Sequence, residues 1–227
     1  MSMIRLRQGL RDARPRHRAL IHIGKCGGAS VRAALHEAGI ADTLRVFHVR
    51  RPVYRRNLNY VVVARNPLSR AVSAFNWRYR LAVSERRQPY RFSGEREVLV
   101  RYGSLGKLGE ALYDDDGNPR GASIRDARRI HHIREDIGYY LTRLLARCRP
   151  EQIEAVLMQE TLDADIERVF GICNQHRIND NSGMGTGKLS ARARANLMRF
   201  FSRDYEALAR LYAWGKIDRE AYLAAVS

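Results

Sequence analysis

Two segments of the chain repeat one arrangement: a short apolar run, a turn built from small or cap-forming residues, and then a helical pattern. The first runs Ala19-Leu20-Ile21-His22-Ile23-Gly24 into Lys25-Cys26-Gly27-Gly28-Ala29-Ser30 and then Val31-Arg32-Ala33-Ala34-Leu35-His36, closed by Gly39. The second runs Tyr60-Val61-Val62-Val63-Ala64 into Arg65-Asn66-Pro67 and then Leu68-Ser69-Arg70-Ala71-Val72-Ser73-Ala74-Phe75-Asn76-Trp77. Apolar runs without polar alternation read as strands buried on both faces, the kind found in parallel sheets covered by helices. Such strand–helix alternation predicts an α/β fold with a central parallel sheet flanked by helices.

The remaining pattern extends this frame. Strands are expected at about 19–23, 60–64 and 154–158. Helices are expected at about 30–38, 67–82, 123–147 and 163–171, with helical stretches at about 190–200 and 203–213 and a short piece after Asp218. Residues 84–120 hold Pro89, Gly94, Gly103, Gly106, Gly109 and the turn Asp114-Asp115-Asp116-Gly117-Asn118-Pro119. They read as an irregular insertion that would shape an acceptor site. Residues 1–18, rich in arginine, read as a basic arm, and 19–227 as a single domain.

Both turns have the chemistry to hold anions. Gly27 and Gly28 let backbone N–H groups approach a phosphate, and a helix starting behind them adds its partial positive charge. Lys25 precedes these glycines, whereas a Walker A lysine follows its own, so a nucleotide-triphosphate loop fits poorly. In the second segment Asn66 is a cap and Pro67 suits a first helical turn. Arg65 falls at the carboxyl end of a strand, where open parallel sheets bind ligands. Ser73 lies on the same side of the following helix as Ser69, so a guanidinium fork and a hydroxyl can converge on one dianion.

With these residues in hand, the chain resembles the PAPS-dependent sulfotransferases, closest to the carbohydrate branch that includes the heparan sulfate 2-O-sulfotransferases and bacterial relatives. The resemblance rests on His22-Ile23-Gly24-Lys25-Cys26-Gly27-Gly28-Ala29-Ser30 and on Arg65 with Ser73 eight residues later. It extends more weakly to Glu154–Asp163, the loop Asn181–Ser190, and Phe201–Glu206 with Leu211-Tyr212. It implies a P-loop-like sulfotransferase fold and transfer of a sulfuryl group from 3′-phosphoadenosine 5′-phosphosulfate (PAPS) to a hydroxyl, releasing the bisphosphate PAP. By resemblance Lys25 contacts the phosphosulfate and stabilises the leaving group, and Cys26, Gly27, Gly28, Ala29 and Ser30 complete its cradle. Arg65 and Ser73 hold the 3′-phosphate, and Gly187 and Lys188 close over it. The family's base, histidine in this branch, comes from the region of His48, with His131 and His132 as second candidates. No metal is required. The implied partner is a hydroxyl-bearing acceptor, a glycan.

Charge leaves rivals open. Across 227 residues, 41 Lys and Arg against 24 Asp and Glu give a net charge of +17, which demands an anionic partner of some kind. Only Lys25, Lys107, Lys188 and Lys216 are lysines, so two of the four fall in glycine-rich loops, where a compact point charge is useful. A kinase-like phosphotransferase on the same fold lacks a Walker B strand here. A polyanion- or nucleic-acid-binding protein would use Arg5–Arg18, Arg50–Arg56 and Arg125–Arg134, but the chain has no C₂H₂ spacing, basic zipper or RNP1-like motif, so specific nucleic-acid recognition is not expected. Cys26, Cys148 and Cys173, odd in number and widely spaced, predict free thiols and a cytoplasmic setting. Cys26 reads as a small residue filling its turn rather than as a nucleophile. No apolar stretch is long enough to span a bilayer, though the basic arm suits weak contact with a membrane surface.

Overall fold

The computed structural model describes residues 17–88, 91–173 and 189–227. The anticipated contacts of Gly187 and Lys188 and most of the basic arm lie outside these residues. The arm ends earlier than its sequence boundary. His17 and Arg18 already belong to β1 (His17–His22), where the His17 amide donates to Asn57 and Arg18 Nε donates to Glu154 at 3.1 Å.

Four parallel strands form the sheet: β1, β2 (Leu44–His48), β3 (Leu58–Ala64) and β4 (Ile153–Met158), in the spatial order β2-β1-β3-β4. Ala19, Leu20 and Ile21 in β1 and Tyr60 through Ala64 in β3 are all fully buried, as central strands covered on both faces must be. From β1 the chain crosses to β2 through α1 (Gly28–Glu37). It then passes back over β1 to β3 and continues outward to β4. The direction of winding therefore reverses between β1 and β3. At such a switch point the loops leaving the two carboxyl ends diverge and open a crevice. Here those loops begin at Ile23 and at Arg65, the two segments singled out in the sequence.

The helices are α1; α2 (Pro67–Tyr79), which runs on into a π turn over Arg80–Ser84; α3 (Glu95–Tyr102); α4 (Leu105–Ala111); α5 (Gly121–Ala127); α6 (Ile137–Leu145); α7 (Leu162–Phe170); α8 (Ala191–Phe200); α9 (Ser202–Ala213); and α10 (Arg219–Val226). One apolar cluster joins the sheet to α1, α6, α7, α9 and α10. A second unites α2, α3, α4, α5 and α8. No helix of the described residues is long and apolar enough to cross a membrane.

Two expectations are corrected. The stretch 84–120 is not irregular, since it contains α3 and α4. Gly94 and Gly103, read as loop markers, are the left-handed residues that bracket α3 (φ 80° and 67°). The single helix expected over 123–147 is two helices, α5 and α6, separated by a turn. The break centres on His132, whose φ is +65°. Arg70 captures the carbonyls of His132 and Glu135, which a continuous helix would have used internally.

Candidate functional site

Lys25 at φ +70° and Gly27 at φ +88° turn the chain sharply after β1, so that α1 begins at Gly28 with no side chain capping its N-terminus. No side chain therefore takes up its first amides, the kind of helix start that can bind an anion. Lys25 Nζ lies 4.3 Å from the centre of the Trp77 ring, and the Arg80 guanidinium lies 4.6 Å from that same ring. Trp77 is thus half-buried and holds cations, instead of filling the core. Burial, followed by repulsion from Arg65, Arg80 and Arg70, lowers the Lys25 ammonium to about 8. An anion placed here relieves that crowding.

Arg65 projects from the end of β3. Its Nε donates to Ser69 Oγ at 2.9 Å and its Nη1 to the Lys25 carbonyl at 3.3 Å, tying the second loop to the first. Ser69, and not Ser73, is its direct hydroxyl partner. Ser73 is half-buried one turn further along the same face of α2. Cys26 is fully buried, and burial pushes its thiol up to about 12, so its contribution to the loop is a backbone one.

Arg70 was not legible as a site residue, and it organises the loop. Fully buried, it donates from Nε to the Gly24 carbonyl (3.0 Å) and from Nη2 to those of His132 (2.8 Å) and Glu135 (2.6 Å). Its Nη1 is buried without a hydrogen-bond partner among the described residues. The signal that could have found it is its spacing: Arg70, Ala74 and Arg78 share the buried face of α2 with Leu68, Ala71 and Phe75.

Two stacked histidine pairs flank the loop. The His22 ring occupies the space where a Cβ on Gly28 would fall, 2.1 Å away, and His48 stacks on His22 with centroids 3.9 Å apart. On the other flank the His132 ring lies 2.4 Å from the place of a Gly24 Cβ, and His131 stacks on it at 3.8 Å. Burial, then the neighbouring His48 and Arg32, lowers His22 to about 3. Burial, then His131, Arg70 and Lys25, drives His132 far below the ordinary histidine value. Both inner rings are therefore neutral spacers. His48 Nδ1 lies 3.2 Å from the His22 carbonyl, which can only accept, so Nδ1 bears the hydrogen in this contact. His131 Nε2 meets Glu135 Oε2 at 3.1 Å. Although burial opposes it, the bonds from His131 and Arg91 hold the Glu135 carboxyl below its usual value.

Comparison of the chain with family models, with curated proteins and with solved structures finds no match. Its chemistry must be read from its own residues.

One other arrangement bears on that chemistry. His131, His132 and Glu135 place one ligand atom each within 4.8 Å of one another, a spacing compatible with a metal ion. The two imidazoles are nearly parallel, however, at 22°, so their in-plane lone pairs run side by side and do not converge. Arg70, Lys25 and Arg78 also bear on His132. The edge as a whole gathers positive charge, with an uncapped helix start, Lys25 and Arg65 meeting where the loops after β1 and β3 diverge.

Proposed function

We propose that the protein is a sulfotransferase that uses PAPS as donor and a hydroxyl of an acceptor, a carbohydrate by resemblance, on a P-loop-like sulfotransferase fold. The observation that carries this reading is the convergence of Lys25, Arg65 and the uncapped start of α1 on one switch-point crevice. The orphaned Nη1 of Arg70 and the depressed Lys25 ammonium fit a bound anionic donor. When bound, the donor supplies an activated sulfuryl group and a phosphate that leaves with growing negative charge.

The protein's own groups divide the remaining work. Lys25 and the amides of Gly28 and Ala29 face the phosphosulfate, where a preorganised positive field stabilises charge as it develops. Arg65 presents its remaining guanidinium N–H groups to the 3′-phosphate, with Ser73 adding a hydroxyl. His48 Nε2 accepts the proton of the attacking hydroxyl, and His22, neutral and packed on Gly28, holds that ring at the loop.

A binding comparison tests the second contact set. Replacing Arg65 by Ala removes hydrogen bonds to a charged group, so affinity for 3′,5′-adenosine bisphosphate should fall about 10- to 100-fold while that for AMP stays the same. A preference for the 3′-phosphate that survives the substitution would remove Arg65 from this role and take the donor assignment with it.

A further inference from the structure

Beyond the loop site lies a cavity of about 550 Å³ on the other side of the 128–136 turn. Its volume is within the range of small-ligand sites. Six arginines line it: Arg51 from the loop after β2, Arg125, Arg128, Arg129 and Arg134 from α5 and the turn, and Arg203 from α9. Asp136 is the single carboxylate in the lining. Among the described residues Arg129 alone of the six forms an ion pair, with Asp126 at 3.5 Å. Lys25, Arg65 and the other loop groups are not part of this lining.

Three of these six side chains rest on aromatic rings. Arg51 lies over Tyr139 at 4.1 Å, Arg134 over Phe92 at 4.6 Å, and Arg128 over Phe200 at 5.1 Å. A ring contact engages a guanidinium through its face, and none of these three arginines forms an ion pair among the described residues, so N–H donors remain for a ligand. A carboxylate partner would have consumed those donors. Crowding like charges around one concavity raises its energy until anions enter. Guanidinium forks lining one concavity can match the oxygens of phosphate, sulfate or carboxylate groups in bidentate fashion.

We infer that this cavity is a second anion site, separate from the loop after β1, that takes a ligand bearing two or more phosphate, sulfate or carboxylate groups. It does not depend on the donor assignment. The neighbouring 131–135 segment touches the loop through His132 and Arg70, so the two sites share a wall.

All six arginines are exposed, so their removal leaves the cores intact. The test is titration calorimetry with inorganic tripolyphosphate at 0.15 M salt, a concentration that screens diffuse attraction. The Arg128→Ala/Arg134→Ala protein should bind roughly tenfold or more weakly than the parent. A charge-matched control, Arg143→Ala/Arg219→Ala, removes two exposed arginines outside the cavity and should change affinity by less than about threefold. Lys25→Ala should leave the cavity's share of binding in place. Equal losses in the cavity variant and the control would mean net charge alone attracts the probe, and loss of all binding in Lys25→Ala would assign it to the loop; either overturns the inference. A readout without substitutions uses arginine modification by phenylglyoxal with peptide mass mapping. Tripolyphosphate should protect Arg128 and Arg134 and leave Arg143 and Arg219 reactive, and uniform protection or none would contradict the site.

Discussion

Lys25 is a lysine kept partly discharged by its surroundings. Its ammonium titrates near 8 because it is buried and faces Arg65, Arg80 and Arg70. A bound anion favours the protonated form and returns the group toward its ordinary 10.5, so binding takes up a proton once the pH exceeds about 8. Affinity for 3′,5′-adenosine bisphosphate should accordingly be flat from pH 7 to 8 and then fall, by at most about tenfold per pH unit. The phosphates are already ionised in that range. Calorimetry at pH 7, 8 and 9 measures this, and Lys25→Arg should flatten the curve. The outer histidines separate on the same scale. His48→Asn should lower kcat about 10²- to 10⁴-fold with little change in donor binding, because it removes a proton acceptor and keeps a similar shape. His131→Asn, which disturbs the contact to Glu135 at 3.1 Å, should cost far less. The reverse order of effects would move the base to His131. Lys25 and Arg65 stood out from residue order, each following an apolar strand, whereas His48, the last residue of β2, was proposed only by resemblance. The stacked partners His22 and His132 did not, because their role depends on two glycines, Gly28 and Gly24, lying across a loop from the rings that fill their missing Cβ positions.

Elements hold these residues through buried polar ties. The Arg78 side chain of α2 makes a bidentate pair with Glu95 of α3, Nε to Oε1 at 2.8 Å and Nη2 to Oε2 at 2.9 Å, and both side chains are buried. Glu95 also accepts the amides of Arg91 and His131, each at 2.8 Å. One carboxylate therefore links the 84–120 region to the turn that faces the loop site. Glu95→Ala should destabilise the protein by about 3–5 kcal/mol, since it strands a buried guanidinium, and the loss is read by denaturant unfolding. A change under about 1 kcal/mol would mean that water already satisfies Arg78. This tie explains why the region was misread. Its glycines look like loop punctuation, yet Gly94 and Gly103 end a helix whose stability comes from a partner 17 residues earlier in the chain. The continuous helix expected over 123–147 failed for a related reason. Ile130, Ile133 and Ile137 keep helical spacing and are all buried, but Arg70 draws two carbonyls out of the ladder.

At the scale of the whole molecule, the order β2-β1-β3-β4 decides where chemistry can occur. Alternating strands and helices were enough to expect a parallel sheet, and β1, β3 and β4 lie within about two residues of the three strands expected, whereas β2, with Arg45 and Val46 exposed, was not among them. The order of those strands is a long-range property that no local pattern encodes. It is this order that brings the loop at Lys25 and the strand end at Arg65 to the same crevice. The chain carries a net charge of +17, so any anion will be drawn to the protein, and only discrimination among anions is informative. The most direct measurement is calorimetric titration of the intact chain with 3′,5′-adenosine bisphosphate, AMP and Mg·ATP at moderate salt. Tight binding of the bisphosphate, lost when the 3′-phosphate is missing and not matched by Mg·ATP, is the predicted result. Equal, salt-sensitive binding of all three would contradict the donor site and with it the sulfotransferase function.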